Sequence, residues 1–304
     1  MLKRRIAYAF TALLLSAALL AGCGGARSSG AGDTVVVGSK DFTENILLGE
    51  IAAQLLESKT DLKVVRKLNL GGTTVNFNGL KTGDLTLYAE YDGTGYSAHL
   101  GHTEPITDPD ALFDQVKKEF EEKFGLTWSE PLGLNNTYTL AVPRALAEQY
   151  NLKTYSDLLA VDEQLVFGTT NEFMGRTVDG YEPLVRTYGF QFKDVATMQT
   201  GLRYKAIENG DIQIMDAYAT DGKLKEFDMV ILEDDKNFFP PYKGAYVIRM
   251  DAVEAHPEIL ETLNLLGGKL PDETMQELNY RVEVLEEPVD QVARDFLKSA
   301  GLID

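Results

Sequence analysis

The sequence predicts an α/β protein of two lobes, and three observations carry that expectation. Short β-branched runs alternate with helical-period segments, the alternation starts again midway along the chain, and 304 residues are enough for two hydrophobic cores. Strands that alternate with helices also predict mainly parallel pairing.

Thr34-Val35-Val36-Val37-Gly38 reads as a buried strand feeding a helix in which Ile46, Leu47, Ile51 and Leu55 recur at helical spacing. Asp41 and Glu44, three residues apart, have the spacing of a capping box at its start. A second strand over 63–68 leads through Gly71-Gly72-Thr73 into a short helix ending near Gly83, and 84–91 reads as the third strand. Residues 109–124 form a charged amphipathic helix. Leu134 to Val142 then reads as a strand, with Pro143 opening a helix to about Tyr150. Further strands are expected at 165–168, 212–218, 229–232 and 245–249, with a helix over 201–209. Helices dominate beyond Arg249, and Val289, Val292, Ala293, Phe296 and Leu297 line one stripe of the last.

The N-terminus has a different character. Lys3, Arg4 and Arg5 precede an apolar run from Ile6 to Leu20, which is too short and too rich in small residues for a membrane span and reads as an export signal. Leu20-Ala21-Gly22-Cys23 resembles a bacterial lipobox, so residues 1–22 are expected to be cleaved and Cys23, the single cysteine, to carry lipid. Residues 23–32, rich in Gly and Ser, read as a flexible tether. The expected location is extracytoplasmic, on the outer face of the cytoplasmic membrane or the periplasmic side of an envelope membrane. The net charge of −18 disfavours nucleic-acid and anionic-lipid partners, and cleavage would remove three more cations.

Two α/β units on an exported, tethered chain imply a binding protein whose ligand sits between the lobes. Chemistry-bearing residues cluster just beyond predicted strand ends, where open α/β sheets place ligands. These segments are Gly38-Ser39-Lys40-Asp41-Phe42-Thr43-Glu44, Glu90-Tyr91-Asp92-Gly93-Thr94, Asn136-Thr137-Tyr138, Gly175-Arg176, Tyr218-Ala219-Thr220-Asp221 and Pro240-Pro241-Tyr242. They resemble the substrate-binding proteins of ABC importers for glycine betaine, carnitine and choline, over essentially the whole mature chain. The resemblance implies a two-lobed, type II periplasmic-binding-protein-like fold, with 33–137 and 241–304 as one discontinuous domain and 138–240 as the other. It implies a tyrosine cage of Tyr91, Tyr138, Tyr218 and Tyr242 around a quaternary ammonium group, with Lys40, Thr94 and Arg176 at the carboxylate end. It also implies a monomer that delivers its ligand to the transmembrane subunits of an ABC permease.

The chemistry of such a ligand agrees with these residue types. A trimethylammonium group carries charge but no N–H, so aromatic faces hold it where hydrogen bonds cannot. A guanidinium can take a carboxylate bidentately, and an ammonium supplies a point charge. The neutral hydroxyl of Thr94 tolerates a carboxylate that an acid would repel, which favours betaines and carnitine over choline.

Other readings have less behind them. Lys40 could be a solvated loop lysine, and Arg176 could pair with Glu172 or Asp179. An amino-acid or polyamine receptor would need an acidic partner such as Asp92 or Asp221. His99, His102 and Glu104 resemble a metal site only superficially, Glu233-Asp234-Asp235 lacks calcium-loop geometry, and Gly38-Ser39-Lys40 lacks phosphate-loop spacing. Neither Ser39 nor Thr94 has a histidine in a recognisable nucleophile motif, so an exported enzyme is not favoured, and an adhesin would instead expose an apolar patch and gain no stability from a small ligand. The sequence reading assigns no catalytic residue, no metal and no cofactor.

Overall fold

The computed structural model describes residues 33–304, with Pro105, Thr107 and the side chains of Glu172 and Thr200 left aside. The expected signal peptide, Cys23 and the tether lie outside the described residues. Two five-stranded sheets organise the rest. The first contains β1 (Thr34–Gly38), β2 (Lys63–Lys67), β3 (Leu87–Tyr91), β4 (Leu126–Trp128) and β10 (Gly244–Arg249), in the order β2-β1-β3-β10-β4. The second contains β5 (Tyr138–Pro143), β6 (Val166–Thr169), β7 (Asp194–Thr197), β8 (Ile214–Tyr218) and β9 (Met229–Ile231), in the order β7-β6-β8-β5-β9. The chain thus leaves the first sheet after Trp128 and returns to it at Gly244.

Period-two alternation gives each sheet two buried faces. In β3, Leu87, Ala89 and Tyr91 face a core built on the helix Thr43–Lys59 and the C-terminal helices, whereas Tyr88 faces a second core containing Phe77, Phe113, Phe120 and Trp128. The helix Thr43–Lys59 is enclosed over most of its length, with Leu47, Leu48, Ile51, Leu55 and Leu56 fully buried, and it packs against Val289–Ser299. The amphipathic stripe read in that last helix accounts for the contact, since Val292, Ala293, Phe296 and Leu297 are its buried face. In the second sheet, Leu140 and Val142 face one core and Ala141 the other.

Three details depart from the sequence expectation. Pairing is mixed, not mainly parallel: β1 with β3, and β6 with both β7 and β8, run parallel, but β10 runs antiparallel to β3 and β4, and β5 antiparallel to β8 and β9. The reason is topological, because β5 and β10 are the strands by which the chain arrives from the other lobe. Each starts where a resident strand ends. The strand expected from Leu134 begins only at Tyr138, since Asn135 and Asn136 bond instead to the returning segment, through an Asn135–Lys243 bridge and the pair Asn136 N to Tyr242 O, 3.1 Å. Finally, the capping box is not formed. The N-cap is Phe42 without a side-chain bond, and Glu44 is turned elsewhere.

The lobes also touch away from the crossings. Segment 219–225 of the second lobe lies on one face of the helix Asp272–Glu283 of the first. Gln276 donates to Ala219 O at 2.6 Å, Asn279 donates to Thr220 O at 2.9 Å, and Lys225 pairs with Glu277. Gly222 permits this approach, because a Cβ there would lie 2.4 Å from Tyr280 N and 2.7 Å from Asn279 C. Gly222→Val should therefore hold the lobes apart. Small-angle scattering of the ligand-free variant is expected to show a larger radius of gyration than the parent, and superimposable curves would contradict this contact as the limit on closure.

Candidate functional site

The two crossing registers decide where the tyrosines meet. Tyr138, the first residue of β5, is the direct cross-strand partner of Tyr218, the last of β8, and Gly244 at the start of β10 is the partner of Tyr91 at the end of β3. Tyr242 precedes Gly244 in the returning segment. Gly93 makes room for it, since a Cβ there would stand 2.6 Å from Pro241 O and 2.8 Å from the Tyr242 ring. These ends open on a cleft of about 770 Å³ lined by all seven residues singled out in the sequence: Lys40, Tyr91, Thr94, Tyr138, Arg176, Tyr218 and Tyr242.

The tyrosines are held individually. The rings of Tyr138 and Tyr218 are 4.8 Å apart between centroids, and their hydroxyls are 3.1 Å apart. Tyr138 packs on Phe173 and Phe239, and Phe42 stacks on Tyr91 at 6.4 Å. The Tyr91 hydroxyl donates to Glu44 Oε1 at 2.5 Å. Burial raises its pKa well above the ordinary phenol value, and the Glu44 carboxylate adds to that shift. Fixing a ring by its hydroxyl leaves its face available to a cation.

Lys40 and Arg176 both have acidic partners. Lys40 is buried and paired with Glu90, which also accepts from the Tyr88 hydroxyl at 2.9 Å and from Tyr91 N at 2.8 Å. Burial opposes the Glu90 charge, but Lys40, His99 and the Tyr91 N–H outweigh it and hold the pKa below the usual range. Lys40 is therefore a buried, paired lysine and not a solvated one. Arg176 takes Asp179, one of the two partners weighed for it, through Nε at 2.8 Å and Nη2. Its guanidinium carbon lies 5.0 Å from the Tyr138 ring centroid, and Lys40 Nζ lies 5.0 Å from that of Tyr91. Burial works against the Arg176 charge, and Asp179 more than offsets it.

Sequence reasoning did not single out Tyr204, Asn279 and Glu283 as lining residues, it named Asn136 only within a loop-end segment, and it read Glu44 only as a helix cap and part of a motif. Glu44 is 3 % exposed and accepts from Tyr91, from Asn136 at 3.0 Å and from Asn279 at 3.1 Å. Its place in the Phe-Thr-Glu segment was the available signal. The acids considered for a primary ammonium are otherwise engaged. Asp221 accepts from the Tyr204 hydroxyl at 2.5 Å and from Lys223 N at 3.0 Å. Asp92 Oδ1 accepts from Gly93 N at 2.7 Å and Lys243 N at 2.8 Å, which ties the end of β3 to the returning segment. His99 stacks on Phe77 while His102 bonds Glu119 at 2.9 Å, so the two serve separate contacts. Among the described residues, no group of three or more His, Cys, Asp or Glu side chains is arranged to hold a metal ion.

Two mixed sheets joined by two crossings, with a polar-aromatic cleft at their junction, define the two-lobed class of extracytoplasmic solute-binding proteins. Residues 33–299 match the family described as the substrate binding domain of ABC-type glycine betaine transport systems, and the chain belongs to that family. It is 40% identical over 269 residues, 88% of its length, to the ergothioneine transport permease/ergothioneine binding protein EgtU of Helicobacter pylori, of which it spans about half, 48%. It is 37% identical to the carnitine transport binding protein OpuCC of Listeria monocytogenes, covering 98% of this chain and 97% of that one. A crystal structure described as a glycine betaine/carnitine/choline ABC transporter superposes with a TM-score of 0.85 at 33% identity, covering 89% of this chain and all of that one. The family is one of transport substrate-binding proteins, not of enzymes, and no helix among the described residues is long and apolar enough to cross a membrane.

The Asp92 tie carries a pH signature. Burial pushes its pKa up to about 7, and Oδ2 is buried without a hydrogen-bond partner. The folded state therefore binds the proton more tightly than the unfolded state, so Asp92 lowers stability progressively as pH rises from about 4 to about 7. Asp92→Asn keeps an acceptor for both backbone groups and cannot ionise. Denaturant titrations should show the variant gaining on the parent across that window by a few kcal/mol and levelling off above it. A stability difference that stays constant with pH would show that Asp92 does not titrate there.

Proposed function

We propose that this chain is the lipid-anchored, extracytoplasmic receptor of an ABC importer that captures quaternary ammonium solutes between its lobes. Tyr91, Tyr138, Tyr218 and Tyr242 surround the cation, and Arg176, Lys40 and Thr94 receive the carboxylate. The observation that carries this reading is the convergence of four tyrosines, brought by two crossings and two strand ends, on one cleft. Arg176 supports it because Asp179 orients its guanidinium at the cleft wall, 5.0 Å from the Tyr138 ring centroid. On this reading the two domains are 33–137 with 241–304, and 138–240. Cys23 tethers the monomeric receptor beside its permease through the 23–32 linker, and the chain turns over no substrate.

The named ligands of its relatives, ergothioneine, carnitine and glycine betaine, share a trimethylammonium and a carboxylate. The cleft continues past the tyrosines to Tyr204, Asp221, Lys223 and Glu283, with more room than glycine betaine fills. That extension favours a betaine with a polar appendage, of which carnitine and ergothioneine are examples. The amino-acid and polyamine alternative has less support, because Asp92 and Asp221 already serve internal donors.

Calorimetry of the domain starting at residue 33 with glycine betaine, proline betaine, carnitine, ergothioneine, choline, arginine and spermidine tests the reading. At least one quaternary ammonium compound should bind, and Tyr218→Ala and Tyr242→Ala should each weaken it roughly tenfold or more while the protein stays folded. Binding of arginine or spermidine alone, or unchanged affinity in both variants, would remove the cage assignment.

A further inference from the structure

Glu44 is a buried carboxylate with an unusual set of partners. Four neutral side chains donate to it, the hydroxyls of Thr220 and Tyr91 and the amides of Asn136 and Asn279. Among the described residues, no lysine, arginine or histidine lies within ion-pair distance of it. Glu90 and Asp179 differ, since Lys40 and Arg176 pair with them, whereas Asp221 is likewise held by neutral donors, the Tyr204 hydroxyl and Lys223 N, but lies farther along the cleft than Tyr91. Burial raises the Glu44 pKa, while its donors favour the ionised form. A carboxylate removed from water ordinarily needs a countercharge.

We infer that Glu44 is the countercharge of the cation subsite, held behind Tyr91 for a ligand cation that completes the ion pair across the aromatic ring. This rests on the quaternary ammonium reading given above. Two effects add in this geometry. The negative charge attracts the cation directly through a partly desolvated wall, and the hydrogen bond that Glu44 accepts from the Tyr91 hydroxyl makes the ring more electron-rich. The Asn279 amide nitrogen also bonds Thr220 O of the second lobe, at 2.9 Å. The same amide therefore orients Glu44 and joins the lobes. Glu44 thus acts both directly, by its charge, and through the Tyr91 ring that it polarises.

The test separates charge from packing. Glycine betaine and 3,3-dimethylbutanoate have the same shape and the same carboxylate, but the second has carbon in place of the quaternary nitrogen. For Glu44→Gln, glycine betaine affinity should fall about tenfold, while affinity for the carbon analogue should be unchanged or rise, because a nearby anion no longer repels it. Tyr91→Phe keeps the ring and removes the hydroxyl, and it should lower the ratio of the two affinities in the same direction by less. If Glu44→Gln does not fold, the Tyr91→Phe ratio decides. Equal weakening of both compounds, or an unchanged ratio, would overturn the countercharge role and leave Glu44 structural. Failure of the parent protein to bind any quaternary ammonium compound would instead overturn the functional reading on which the inference rests.

Discussion

The arrangement depends on one constraint, the antiparallel seating of each crossing strand beside a strand that ends at the cleft. Because β5 starts opposite the end of β8, Tyr138 must face Tyr218, and because β10 starts opposite the end of β3, Tyr242 is delivered beside Tyr91. Side chains in a sheet have period two, so a one-residue slip in either register would turn the corresponding tyrosine to the other face. The positions of the aromatic residues are thus a property of the backbone hydrogen-bond ladder. Gly93 and Asp92 serve the same constraint, one by admitting the returning chain and the other by bonding it.

The charges follow from burial. Lys40, Glu90, Arg176 and Asp179 are taken partly or wholly out of water and form pairs, which offsets much of the desolvation cost. Pairing keeps both cations beside the tyrosines without a large net charge that would repel a cationic group. Glu44 is held by neutral donors instead, and burial raises its pKa; on the countercharge proposal its ionised form makes the wall behind Tyr91 negative. A ligand with charges at both ends can find complementary groups on the two sides of one cleft.

Much of this was legible in the sequence, and the residues show why. Strand ends rich in Tyr, Lys and Arg marked the cleft, and hydrophobic periodicity located most strands and helices. Three-residue β4 and the half-exposed β7 carry too few apolar positions to register as periodic segments. Pairing direction was misread because alternation of strands and helices does not report which strands arrive from another lobe. Glu44 was read as part of a helix cap since local spacing is all a sequence displays, whereas Tyr91 and Asn279, its actual partners, lie 47 and 235 residues away. The lobe contact at Gly222 was invisible for the same reason.

A crystal structure of the domain bound to its tightest-binding betaine tests the central claim most directly. The quaternary nitrogen should lie within about 6 Å of the ring centroids of Tyr138, Tyr218 and Tyr242, with Tyr91 closing the remaining side in front of Glu44. A cation seated outside these rings, or a ligand held on one lobe alone, would contradict the account.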